Sequence, residues 1–121
     1  MLDWQSFERL VLPPTVHILP VDMKTKRIVL VEQCRPAISA EKPWLLEVPA
    51  GYIEEGEKPE RAAARELQEE CGVSAISLRF LQSLFRSPGS SEQQAFLYIA
   101  EVDFSSLPEL SGLDNEDIRI H

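Results

Sequence analysis

Positive charge is scarce in this chain: across 121 residues, 12 Lys and Arg face 20 Asp and Glu, a net charge of −8. A protein that grips nucleic acid through phosphate contacts needs a basic face, so that class of partner is excluded as an expectation. Sulfur is scarcer still. Cys34 and Cys71 stand far apart, without metal-type or redox-type spacing, so neither a zinc site nor a disulfide framework is indicated. Both read as ordinary buried or half-buried thiols. Long apolar runs are missing too: none approaches the ~20 residues that span a bilayer. The opening MLDWQSFERL lacks a basic start followed by an apolar signal core. The expectation is a soluble, cytoplasmic protein with no membrane partner.

What is present is an ordinary globular composition, 44% hydrophobic and 26% charged, at a length that suits one domain over residues 1–121. The β-branched runs Thr15 to Val21 and Arg27 to Gln33, separated by DMKTK, read as a hairpin. Trp44 to Val48 reads as a short strand stopped by Pro49, with a turn at Gly51. A helix is expected from Pro59 to Cys71. Proline suits the first turn, AAARELQEE consists almost wholly of strong helix formers, and Gly72 supplies the stop. Ile76 to Phe85 and Ala95 to Val102 are strand candidates joined by the turn-rich SPGSSEQ at 87–93. After a polar stretch from Asp103 to Asp117, Ile118 to His121 is one more possible strand.

The helix carries the first chemical signal. Positions i, i+3 and i+4 share a face, so Glu66, Glu69 and Glu70 project to one side within a turn. Their repulsion is only roughly 0.2–0.5 kcal/mol per exposed pair, so on these three residues alone a solvated acidic face and a metal site both stay open. The surroundings favour the metal. Glutamates 54, 55, 57, 60, 66, 69 and 70 face only Lys58, Arg61 and Arg65 between residues 54 and 70. Clustered carboxylates without histidine or cysteine suit a hard ion such as Mg²⁺ or Mn²⁺. Such an ion would let an acidic surface receive a polyanion.

At this point a resemblance becomes specific. GYIEEGEKPERAAARELQEECGV at 51–73 is similar at every fixed position to the Nudix pattern G-x5-E-x7-R-E-U-x-E-E-x-G-U, through Gly51, Glu57, Arg65, Glu66, Leu67, Glu69, Glu70, Gly72 and Val73. The resemblance implies an α/β fold, an α/β/α sandwich with a mixed sheet and a loop–helix–loop that holds metal against a pyrophosphate. It implies direct metal ligation by Glu66 and Glu70, help from Glu69, and a contribution from the Ala50 carbonyl. Arg65 and Glu57 would orient the site, since bidentate arginine–carboxylate pairs fix rotamers.

Three flanking segments, VEQCRPA at 31–37, PWLLEVPAG at 43–51 and SPGSSEQ at 87–93, resemble the ADP-ribose pyrophosphatase branch of that family, in which a proline falls about fifteen residues after the box; Pro88 stands there relative to Val73. The likeness implies that Arg35 contacts the substrate's phosphates or terminal ribose, with a surface arginine as the plain alternative. Glu47 is a substrate-side or a salt-bridge residue, Pro88 a substrate-loop or simple turn proline, and Glu92 a loop carboxylate within reach of water or metal. GLDNEDIRIH at 112–121 resembles the acidic loop that carries the general base and a further metal ligand, which places Asp114 and Glu116 in those roles. The branch more often has glutamate at the position of Asp114, so Glu116 or Glu66 stands in as candidate base. The likeness runs from Pro14 to His121. The chain ends where such enzymes usually continue into a strand and a helix, so a compact or a C-terminally shortened form is expected.

The implied reaction is Mg²⁺-dependent hydrolysis of ADP-ribose to AMP and ribose 5-phosphate, by a water that a carboxylate deprotonates. GDP-mannose or a broad range of nucleotide sugars is the rival substrate reading, and a nucleotide sensor without turnover is the rival of another class. A homodimer is expected by analogy.

Overall fold

The computed structural model describes residues 10–38, 40–106 and 118–120, with backbone alone for 106 and 118–120. β1 (Thr15–Asp22) is its spine, and alternation along the strand buries Val16, Ile18 and Pro20 on one face. β7 (Gln94–Glu101) runs parallel to it, Thr15 opposite Ala95 through Val21 opposite Glu101. β6 (Ser77–Phe85) lies antiparallel on the far side of β7, with a register shift between Phe80 and Gln82. The other edge of β1 is shared. β2 (Arg27–Ile28) pairs with its C-terminal end and β5 (Ala50–Tyr52) with its N-terminal end. A second sheet holds β3 (Val31–Cys34) between β4 (Trp44–Glu47) and β8 (Ile118–Ile120).

Two expectations need correction here. The run Arg27 to Gln33 is not one hairpin arm, since only Arg27 and Ile28 pair with β1 and the chain then crosses into the second sheet. Gly51 is not in a turn; it sits mid-strand in β5 opposite Val16. The strand at Trp44, both long strands after the helix and the strand at Ile118 form where their patterns point, to within a residue or so at most ends.

α1 (Pro59–Cys71) has the bounds its sequence dictates. Pro59 opens it, Glu60 adds a favourable charge to the first turn, and Gly72 closes it in the left-handed region at φ 70°, its N–H donating to Gln68 O. The helix buries Ala62, Ala63, Glu66, Leu67 and Cys71. The small alanines let its axis come close to β1 and β5, where the core of Val16, Ile18, Val29, Val31, Ile53, Tyr98, Ala100 and Val102 closes. The mixed sheet and the loop–helix–loop are thus both present, and α1 is the one α-helix among the described residues. Among those residues no helix is long and apolar enough to cross a membrane.

Asp22 clamps the bottom of the spine. Its Oδ1 accepts from the N–H groups of Lys24 (2.9 Å) and Thr25 (3.2 Å), and its Oδ2 from Phe104 N–H (3.1 Å), tying the β1–β2 turn to the exit of β7. These amide donors hold the carboxyl below its ordinary value.

Candidate active site

The buried stripe of α1 contains a carboxylate. Helical spacing puts Glu66 in line with Ala62, Ala63 and Leu67, and its side chain is only 11% exposed. What makes room for it is Gly51, on the adjacent strand: a Cβ there would run into the Glu66 carboxyl carbon and both its oxygens. The glycine is required for close approach and not for a turn.

Arg65 governs the shape of the surrounding loop. Its Nε and Nη2 donate to the two oxygens of Glu57, both at 2.9 Å, Nη2 also donates to the Tyr52 carbonyl at 2.9 Å, and Nη1 reaches Glu66 at 2.7 Å. Glu69 lies 3.4 Å from Nη1 and Glu54 3.9 Å from Nε. Glu57 in turn accepts from Glu54 N–H at 3.0 Å, closing the turn at Gly56 that leads into α1. The fork of Arg65, with help from that amide, pulls the Glu57 carboxyl down to about 2. One guanidinium therefore fixes the loop, the strand β5 and the rotamer of Glu66 together.

Glu70 is one turn further along α1. Its Oε2 accepts from Ala50 N–H at 3.1 Å. Burial pushes its carboxyl up to about 7, with the charges of Glu66 and Glu47 adding to the rise and the Ala50 amide and Arg35 opposing it. Burial likewise raises Glu66, against the pull of Arg65. Both carboxyls are raised chiefly by desolvation, Glu70 with a further push from Glu66 and Glu66 with a further push from Glu69 and Glu57. Among the described residues no three acidic, histidine or cysteine side chains form a closed cage. Glu66 and Glu70 would be the carboxylates open to a cation there, and a hard ion of the Mg²⁺ type can take one or two carboxylates with the rest of its shell from water and phosphate oxygens. Ala50, expected to meet the metal through its carbonyl, meets Glu70 through its amide. Glu69, with 57% of its side chain exposed, turns to Arg65.

Glu66, Glu70, Ala50, Gly51, Glu54 and Arg65 are among the residues that line a cavity of about 860 Å³, within the roughly 300–1,000 Å³ of small-molecule sites. Arg35 and Glu47 line it as well, joined across the β3–β4 hairpin by two bonds, Nε to Oε2 at 2.9 Å and Nη2 to Oε1 at 3.2 Å. The salt-bridge reading of Glu47 is thus the geometry observed, beside the cavity. Pro88 and Glu92 are not in the lining. Asp114 and Glu116 lie outside the described residues, but Ile118 pairs with Gln33, so β8 begins beside the end of β3 that leads to Arg35.

Among the lining residues that the sequence reading did not single out are Thr15, His17 and Arg86. Thr15 Oγ1 lies 3.0 Å from His17 Nε2. Their two-residue spacing on β1 puts them on one face, a signal that was available. Arg86 has no such signal, because the β6–β7 hairpin has to form before it stands beside Gln93.

The description of the NUDIX domain matches residues 11–120. The chain is 41% identical over 108 residues to the ADP-ribose pyrophosphatase of Escherichia coli, covering 86% of this chain and 52% of that protein. It is 39% identical over 111 residues to the ADP-ribose pyrophosphatase of Haemophilus influenzae, covering 86% and 51%. To the ADP-sugar pyrophosphatase of Mus musculus it is 39% identical over 79 residues, covering 63% and 35%. The chain spans about half the length of the two bacterial relatives.

Proposed function

This chain belongs to the Nudix family, and from that premise and the geometry of its site we propose that it hydrolyses the pyrophosphate bond of ADP-ribose, or of a closely related nucleoside-diphosphate sugar, with Mg²⁺. The observation that carries the proposal is the pair Glu66 and Glu70, one buried and one half-buried carboxylate, both raised by desolvation, in the lining of a cavity that suits such a ligand in size. Glu66 and Glu70 would hold the cation. When bound, it supplies Lewis acidity toward the phosphate oxygens and lowers the pKa of an attacking water.

The chain's own residues do the rest. Arg65 and Glu57 keep Glu66 in one rotamer, so that its charge stands ready without rearrangement. Ala50 N–H holds Glu70 against the edge of β5. The Arg35–Glu47 pair forms a wall of the cavity, where the guanidinium edge is suited to ribose hydroxyls or phosphate oxygens. Asp114, Glu116 and Glu66 are the candidates for general base, and the products would be AMP and ribose 5-phosphate. The names of the relatives, ADP-ribose and ADP-sugar pyrophosphatases, support the adenine-bearing substrate class.

A panel of nucleotide sugars incubated with Mg²⁺ or with EDTA tests this. The expected result is AMP from ADP-ribose in Mg²⁺ and none in EDTA. Faster turnover of GDP-mannose would refute the substrate, and tight binding of ADP-ribose without product over hours would replace the enzyme by a sensor.

A further inference from the structure

Three arginines line the cavity, and they differ in how they are held. Arg65 is committed to Glu57, Glu66 and the Tyr52 carbonyl, and Arg35 to both oxygens of Glu47. Arg86 is held differently. Its Nη1 donates to Gln93 Oε1 at 3.2 Å, its backbone N–H donates to Gln93 O at 3.1 Å, and among the described residues it forms no ion pair with a carboxylate.

Gln93 is itself built in. It is 5% exposed, and its Nε2 donates to the Pro13 carbonyl at 2.8 Å. This amide fixes both its oxygen toward Arg86 and the strand end that carries it. A neutral amide orients a guanidinium without cancelling its charge, whereas a carboxylate orients and cancels together. Beside it on the same lining stand His17 and Thr15.

We propose that Arg86, oriented by Gln93, is the residue that binds the diphosphate of the substrate directly, from the same lining that holds Glu66 and Glu70, with His17 as a neighbouring donor. In this arrangement the two phosphoryl groups would meet positive charge twice: from a cation that Glu66 and Glu70 would hold, and from the lining arginine that, among the described residues, has no carboxylate partner. That the anion is a nucleoside diphosphate, and that Glu66 and Glu70 hold a cation, both rest on the function proposed above; the hold of Gln93 on Arg86 does not.

The test measures binding of inorganic pyrophosphate by titration calorimetry, with Mg²⁺ and with EDTA, to the wild type, Arg86→Gln and Arg86→Lys, beside steady-state turnover of ADP-ribose. Arg86 is exposed, so both variants should fold, and thermal melting checks this. Arg86→Gln should weaken pyrophosphate about 10- to 100-fold, the range of one charge-assisted hydrogen-bonded contact. Arg86→Lys, which keeps charge and loses the fork, should fall between. KM for ADP-ribose should rise by the same factor while kcat stays within about threefold, the mark of binding that is equal in ground and transition states. Equal pyrophosphate affinity in the wild type and Arg86→Gln, or no binding to the wild type, overturns the assignment. Pyrophosphate binding through Arg86 in a protein that leaves ADP-ribose intact would refute the proposed reaction and leave the assignment standing.

Discussion

Gly51→Ala adds one methyl group where the Glu66 carboxyl group already lies, so the two cannot coexist without a shift. The backbone of β5 is pinned by its pairing with β1, and Ala50 N–H is bound to Glu70, so the side chain of Glu66 has to give way. Overpacking of this kind costs about 1–3 kcal/mol. Displacing Glu66 from Arg65 adds to it, since a hydrogen bond to a charged group is worth about 1.5–3 kcal/mol; some of that returns if the carboxylate reaches water. A net loss of about 2 kcal/mol corresponds to a fall of about 6–12 °C in Tm at this chain length. Activity should fall further. Losing a correctly placed metal-side carboxylate should lower kcat/KM at least about 100-fold, or 2.7 kcal/mol of barrier. The decisive assay is the cycle with Glu66→Ala. Removing the Glu66 side chain vacates the space, so the double variant should be more stable than Gly51→Ala alone, while remaining inactive. A double variant whose loss of stability equals the sum of the single losses would refute the claim that Gly51 acts through Glu66.

Other consequences follow from the same site. Glu70→Gln should lower kcat by orders of magnitude with an unchanged circular dichroism spectrum, and near-normal turnover would remove Glu70 from the metal site. Arg65→Lys loses the fork that joins Glu57, Tyr52 and Glu66, and should weaken the apparent Mg²⁺ affinity about 10- to 100-fold; an unchanged Mg²⁺ titration of activity would count against its orienting role. Glu57 has a carboxyl lowered to about 2 from an ordinary 4.5, so its contribution to stability is complete above about 4.5 and disappears as pH falls through about 2. The gap in melting temperature between wild type and Glu57→Gln should therefore close as pH falls across that window, and a gap that persists to its acid end would contradict the ion pair.

The parts of the molecule that were legible in the sequence are those set by neighbours in the chain. Pro59, the run of helix formers and Gly72 act within a few residues of where they stand, and α1 begins and ends accordingly. Glu66 was legible as well, in the spaced glutamates of one helix face. The failures are tertiary. Nothing between Arg27 and Gln33 says that Ile28 belongs to one sheet and Val31 to another, because both are half of an apolar strand pattern. Gly51 looked like punctuation because the side chain that requires it stands fifteen residues later. Arg35 and Glu47 were singled out separately, and only the hairpin register makes them one pair. Arg86 acquires meaning from Gln93 and Pro13, which meet it only once the ends of the sheet are assembled.

The parallel pairing of β1 with β7 sets the order in which this protein can be made. The strands it joins are about eighty residues apart, so the loop between them must be closed before either is satisfied on that edge. On the ribosome, β1, the short strands and α1 emerge long before β7 does. Glu66 and Glu70 thus leave the ribosome on a helix whose core partners Tyr98 and Ala100 have yet to be made, and Arg86 is without Gln93 until the last long strand arrives. Refolding should accordingly be slow for a chain of this size, and substitutions along β7 should delay the appearance of the active site more than that of the helix.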